Sequence, residues 1–262
     1  MSKDQTVLFN SSVFGPIKSR RLGVSLGINL SPNDGKLCSF DCLYCEAGFN
    51  SQGAGTSGLP LRERVYTQLK NKLSSMKEKG EPLDVITFSG NGEPTLHPDF
   101  PGIIDDTLAL RDEFYPNAKV SVLTNSTKIF SPEVVEALKK VDNNILKIDS
   151  AIEETMKLID RPNSPGFTVK NLIEGLKQFE GTGILQTMIL RGRHGEQKVD
   201  NTTPEEIEAL INAYKEIKPR ETMIYSLDRS TPEENLIKVE RPELEQIAKK
   251  ITQETSIPVS IA

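Results

Sequence analysis

Cysteine is scarce in this 262-residue chain: there are three, all between Cys38 and Cys45. An odd count argues against a disulfide framework, and the start, Met1-Ser2-Lys3-Asp4-Gln5-Thr6-Val7, shows no apolar signal stretch. No apolar run is long enough to cross a bilayer, so the expected setting is a reducing cytoplasm with no membrane partner. Histidine is scarcer still, with only His97 and His194, both far from the cysteines. A structural zinc site closed by four ligands is therefore short of donors. Basic charge is not in excess: a net charge of −5 gives no general attraction to nucleic acid, a partner that stays possible through a local patch but is not favoured.

What is present describes a globular protein with a substantial core, 36% hydrophobic and 26% charged. The length suits one large α/β domain or two small ones. Leu22, Val24, Leu26, Ile28 and Leu30 alternate with Gly23, Ser25, Gly27 and Asn29, which predicts a strand. Its small-residue face admits close approach, by a ligand or by another backbone. After the cysteines, Phe49 to Gly58 is polar and glycine-rich and predicts a mobile loop. A helix from Leu61 to Met76 follows, and then a repeating grammar of strand, turn and helix.

The strands are Leu83 to Phe88, Lys119 to Leu123, Asn144 to Ile148, Ile184 to Leu190 and Thr222 to Leu227. The helices run from Asp99 to Phe114, from the Ser131-Pro132-Glu133 cap to Lys140, from Thr168 to Phe179, and from Thr203-Pro204-Glu205-Glu206 to Ile217. A second box, Thr231-Pro232-Glu233-Glu234, precedes a helix from Pro242 to Thr252 and a short strand near Ile257 to Ile261. Six strands alternating with helices predict parallel β with right-handed crossovers, as an open sheet or a partly closed barrel. No linker divides the chain, so residues 1–262 read as a single domain, with a core over about 14–230 and an extension over 231–262.

Ligand-binding groups in such architectures lie where strands end and βα loops begin. Cys38, Cys42 and Cys45 sit in one loop after the first strand. A [4Fe–4S] cluster commonly takes four thiolates, so three leave one iron open to an exchangeable ligand. The rivals are zinc, and plain core cysteines. The turn after the second strand is Ser89-Gly90-Asn91-Gly92-Glu93-Pro94, which reads as either a ligand cradle or a tight turn. Strand three ends in Thr124-Asn125-Ser126; Lys147 and Asp149 share a face at the end of strand four, beside Ser150. A structural ion pair is the competing reading of Lys147 and Asp149, and a turn residue that of Asn125. Arg191-Gly192-Arg193-His194-Gly195 predicts a cationic loop over the mouth or a solvated charge run, and Tyr225, Ser226 and Asp228 end the sixth strand.

The cysteine spacing, with Tyr44 before the last cysteine, resembles the cluster loop of radical S-adenosylmethionine (SAM) enzymes, and Gly90-Asn91-Gly92-Glu93-Pro94 resembles their Gly-Gly-Glu-Pro segment, with Asn91 interposed. Phe14-Gly15-Pro16-Ile17-Lys18-Ser19-Arg20-Arg21-Leu22-Gly23 and Asp160-Arg161-Pro162 resemble segments of a subgroup that includes the wyosine-forming tRNA enzymes. The further cysteines of those enzymes are missing here, so their substrate is not carried over. The resemblance implies a partial (β/α)6 TIM-like barrel and two cofactors, a [4Fe–4S] cluster on Cys38, Cys42 and Cys45 and SAM on its open iron. SAM contacts would come from Tyr44, Gly90, Asn91, Gly92, Glu93, Pro94, Asn125, Lys147, Asp149 and Ser150, with Lys147 meeting the carboxylate and Asp149 or Ser150 the ribose. It further implies an external one-electron donor of flavodoxin or ferredoxin type. Reduction would cleave SAM to a 5′-deoxyadenosyl radical that abstracts hydrogen from an unidentified peptide, metabolite or tRNA base. The alternative is a non-catalytic iron–sulfur protein for electron transfer or redox sensing, against which the missing fourth cysteine argues.

Overall fold

The computed structural model describes residues 7–19 and 23–262. Arg20, Arg21 and Leu22, which belong to the N-terminal segment and the first expected strand, lie outside the described residues. The main sheet has eight strands in the order β1 (Val13–Ser19), β2 (Gly23–Ile28), β3 (Val85–Phe88), β4 (Lys119–Thr124), β5 (Asn143–Lys147), β6 (Ile184–Met188), β9 (Glu221–Tyr225) and β11 (Val259–Ile261). β1 runs antiparallel to β2, and every other pair is parallel. β1 and β11 stand at opposite edges, so the α/β sheet is an open, partial barrel.

Helices α1 (Arg62–Glu78), α2 (Phe100–Phe114), α3 (Pro132–Lys140), α4 (Glu153–Asp160), α5 (Val169–Leu176), α6 (Pro204–Ile217) and α7 (Arg241–Thr255) occupy the connections. α6 shows how the sequence writes one of them. Thr203 caps it by accepting from the Glu206 amide at 3.3 Å, Pro204 sits in the first turn, and Lys218 in a left-handed conformation stops it. Ile207, Leu210, Ile211, Tyr214 and Ile217 repeat at three- and four-residue spacing and are buried. Each such side chain contributes about 1.5–3 kcal/mol on leaving water. No helix among the described residues is long and apolar enough to cross a membrane.

Several elements differ from the sequence pattern. β1 carries no regular alternation because its register shifts between Phe14 and Ile17, and so it escaped notice. Its Phe14 ring covers Gly27, where an added Cβ would lie 2.1 Å from the ring. Together with a 2.8 Å hydrogen bond between Ser25 and Thr87, this fills the small-residue face of β2 with the chain's own side chains. The expected fifth strand is two strands: β6 ends at Met188, and Leu190–His194 forms β7, paired with β8 (Gln197–Asp200) and β10 (Leu236–Lys238) in a separate antiparallel sheet. The break falls where Asn201 takes the place of a neighbouring strand, its side chain accepting from the Leu190 amide at 2.8 Å and donating to the Met188 carbonyl at 2.7 Å.

The supposed cationic loop is thus a paired strand. Arg191 ion-pairs with Glu243, and His194 lies 2.6 Å from Glu233. Thr231-Pro232-Glu233-Glu234 closes a turn rather than opening a helix, with the Thr231 hydroxyl donating to the Glu233 carbonyl at 2.7 Å. The short helix α4 was also missed.

Candidate active site: a cysteine loop pinned between two strand ends

The loop that carries Cys38, Cys42 and Cys45 is fastened on one side by the turn after β3. The Leu37 amide donates to the Asn91 carbonyl and the Glu93 amide to the Leu37 carbonyl, both at 3.0 Å. At Gly92 an added Cβ would lie 1.8 Å from the Leu37 carbonyl oxygen, so only glycine lets the two backbones meet. On the other side the loop is fastened by the end of α4. The Asp41 amide donates to the Asp160 carbonyl and the Leu43 amide to the Ile159 carbonyl, both at 3.0 Å, and Phe40 bridges to Pro162. Asn163 completes the seam, donating from its amide to the Ser39 carbonyl at 2.9 Å and from its side chain to the Cys38 carbonyl at 3.0 Å. Asp160-Arg161-Pro162 is therefore the strip that holds the cysteine loop.

Buried charge holds the far end of the loop. Lys36, with a side chain 1% exposed, donates to the Gly48 carbonyl at 2.7 Å, and Asp41 accepts from the Asn50 amide at 2.6 Å while pairing with Arg161 at 3.2 Å. The following stretch, expected to be mobile, is tied by Asp34, whose carboxylate accepts from the amides and hydroxyls of Thr56 and Ser57. Those four bonds hold the Asp34 carboxyl well below the usual range.

The three sulfurs have different surroundings. Cys38 accepts weakly from the Phe40 amide at 3.4 Å and from the Asn125 side chain at 3.5 Å, and burial pushes its thiol up to about 11. Cys42 is buried, which raises its thiol too, and the Lys147 ammonium lies 3.0 Å from its sulfur. Cys45 is half-buried and lines a cleft of about 1300 Å3 between the loop and the segment after β9, with Phe49, Leu227, Arg229 and Leu236 among its walls. Cys38 faces a second cavity of about 550 Å3 beside Phe130 and Phe167.

Lys147 also reaches Asp160 at 2.7 Å, Asp149 at 3.0 Å and the Tyr44 hydroxyl at 2.5 Å. Burial alone would discharge this lysine; Asp149 and Asp160 outweigh it and hold its ammonium well above the usual range. Tyr44 donates in turn to Asp149, whose second oxygen accepts from the Met188 amide at 2.9 Å.

The structure thus brings Cys38, Cys42, Tyr44, Asn125, Lys147 and Asp149 to one place at the strand ends. It employs the other candidates differently. Asn91 is fully buried, and its side chain binds the backbone of Phe9 at 2.8 and 2.9 Å and the Pro32 carbonyl at 2.9 Å. Both Glu93 oxygens are taken, by the Thr95 amide and hydroxyl, the Thr124 hydroxyl and the Asn125 amide, and burial still raises its carboxyl. Gly90 sits against Asn29, and Pro94 opens a buried single turn. Ser150 donates to Glu206 at 2.6 Å and accepts from the Ile152 amide at 2.9 Å. Ser226 accepts from the Val239 amide, and Asp228 lies 3.5 Å from Lys238. Sequence reasoning did not single out Lys36, Asp41, Asn163 or Asn201.

Among the described residues, no three His, Cys, Asp or Glu side chains meet at a point that one ion could occupy. A cluster that takes each thiolate on a different iron asks for no such point. Three thiols on a loop pinned at Leu37, Asp41 and Leu43, two of them meeting N–H donors, fit that group.

A profile of the Radical SAM superfamily matches residues 33–196. The chain belongs to the radical SAM superfamily. Members of that superfamily are enzymes that use a [4Fe–4S] cluster and SAM. The radical SAM chain is 32% identical over 245 residues to a UPF0026 protein of Methanocaldococcus jannaschii, covering 90% of this chain and 68% of that protein. It spans only 36% and 56% of the length of the first curated relatives it matches. A radical SAM methyltransferase from Sphaerobacter thermophilus shares the fold, with a TM-score of 0.67 and 13% identity over 91% of this chain and 65% of that one. TYW1, in a structure with a lysine–pyruvate adduct bound, does so with a TM-score of 0.60 and 16% identity over 88% of this chain and 74% of that one.

Proposed function

We propose that this chain cleaves SAM reductively and directs the resulting radical at a substrate in the cleft beside Cys45. Cys38, Cys42 and Cys45 would hold the cluster, and Tyr44, Asn125 and the half-buried backbone of Gly90 and Gly92 would line the SAM site. When bound, the reduced cluster supplies the electron that splits SAM into methionine and a 5′-deoxyadenosyl radical. The chain's own part is positional. The turn after β3 and the end of α4 fix the loop backbone, so the sulfurs keep their spacing without cost at the moment of reaction. Asp149, itself held by the Met188 amide, orients Tyr44 beside Cys42 and Lys147. The cleft of about 1300 Å3 beside Cys45 offers room for the substrate next to the cysteine loop.

The observation that carries this reading is the three-cysteine loop, one thiolate short of closing a cluster and pinned at the strand ends. The same reading takes residues 1–262 as one domain, supported by β11 extending the main sheet and by Leu244, Ile247 and Ile251 of α7 packing into the shared core. It also places the chain in a reducing compartment with a low-potential one-electron donor. The test is anaerobic: reconstitute the cluster, add dithionite and SAM, and assay 5′-deoxyadenosine. Formation of the nucleoside supports the reading; a reduced, fully loaded protein that releases none sinks it, in favour of simple electron transfer.

A further inference from the structure

The cation at the end of β5 has no donor to spare for a ligand. Lys147 Nζ carries three protons, and four acceptors already stand around it: Cys42 Sγ at 3.0 Å, Tyr44 Oη at 2.5 Å, Asp149 Oδ2 at 3.0 Å and Asp160 Oδ1 at 2.7 Å. The Tyr44 and Phe40 rings lie 4.6 and 5.6 Å from it, and its side chain is 12% exposed. A SAM carboxylate would have to displace a buried carboxylate to reach it, leaving that charge unpaired.

We propose that Lys147 sets the reduction potential of the cluster through its contact with the Cys42 sulfur, and that it does not bind the carboxylate of SAM. The inference rests on the cysteine-ligated cluster put forward above and deepens it. Adding an electron makes the cluster more negative, and hydrogen bonds to its sulfurs together with nearby net charge decide how readily that happens. The ammonium at 3.0 Å favours the reduced form. Asp149 and Asp160 oppose it, and their distances of 3.0 and 2.7 Å from the same nitrogen make the local charge a balance among three groups. Asn125 makes a similar but longer approach to Cys38, at 3.5 Å, without a charge. Lys147 is therefore a positioning residue that acts through the Cys42 thiolate, on the cluster and not on the substrate.

The two sides of the balance make opposite predictions, which a purely structural role does not. In a potentiometric titration of the reconstituted protein followed by electron paramagnetic resonance, without SAM, Lys147→Met is expected to lower the midpoint. At a fixed potential its reduced-to-oxidised ratio should fall about tenfold, which is about 59 mV for one electron. Asp149→Asn is expected to move the midpoint the other way, and Lys147→Arg to stay near the parent value. Iron and sulfide content, measured on each variant, separates loss of the cluster from a shift in its potential. Should Lys147→Met fail to hold the cluster, Asp149→Asn alone decides. Unchanged midpoints in loaded variants, or shifts of the same sign, overturn the proposal. If the parent protein takes up no cluster, the failure belongs to the underlying reading and not to Lys147.

Discussion

Gly92 is the residue at which fold and chemistry meet most tightly. Its missing side chain lets the Leu37 carbonyl approach within 1.8 Å of where a Cβ would stand, and the contact is backbone against backbone, so no rotamer can relieve it. Gly92→Ala should cost about 1–3 kcal/mol of stability and displace the cysteine loop. Thermal unfolding combined with iron content after reconstitution measures both; a variant with parent stability and full loading would show that the junction is slack. Much of this site was legible in residues taken singly. The three cysteines, Asn125, Lys147 and Asp149 were named from spacing and strand-end position and Tyr44 from the resemblance, and all but Cys45, which faces the cleft, meet at the strand ends. The pattern could not reveal that Asn91, Glu93 and Ser150 are already occupied, because their partners Phe9, Asn125 and Glu206 lie 82, 32 and 56 residues away. A buried polar group must be paired, but a sequence does not say with what.

Among the elements, the junction of α2, β4 and β5 turns on one carboxylate just before β5. Asp142 accepts from the Val120 amide and from Arg111, both at 2.8 Å, and from Lys119 at 3.4 Å. Burial would raise its carboxyl, but these donors outweigh it and hold it below the ordinary value. The folded chain therefore takes up this proton later than the unfolded chain. The stabilisation is complete above the unfolded value near pH 4 and is lost as pH falls through the lower folded value. Asp142→Asn should be less stable than the parent by about 1 kcal/mol at pH 7, discounted for partial exposure. Urea midpoints measured from pH 7 to pH 2 should converge at the acid end; a gap that stays constant would remove the charge from the account. The strands β2 to β5 and β9 and most helices were readable as elements because each carries a complete period and a turn. β1, α4 and the split after Met188 were not, since the first is irregular, the second starts after Ile152, which offers no side-chain cap, and the third depends on the side chain of Asn201.

At the scale of the molecule, the added β7–β8–β10 layer contributes Leu236 and Lys238 of β10 to the wall of the mouth beside Cys45. The mouth lies between the loop at Cys45 and the segment after β9, where Arg229 pairs with Glu46 across the cleft at 2.5 Å. That layer was invisible to a pattern of alternating strands and helices, because its three strands come from two separate connections of the main sheet. The central claim is that the loop leaves one iron of its cluster for SAM. It is tested most directly by the electron paramagnetic resonance spectrum of the reduced, reconstituted protein before and after SAM is added. The account predicts a changed spectrum with SAM, and loss of the cluster signal when any one of Cys38, Cys42 or Cys45 is replaced by alanine. A spectrum that SAM leaves unaltered, or a full cluster retained on two of the three cysteines, would contradict it.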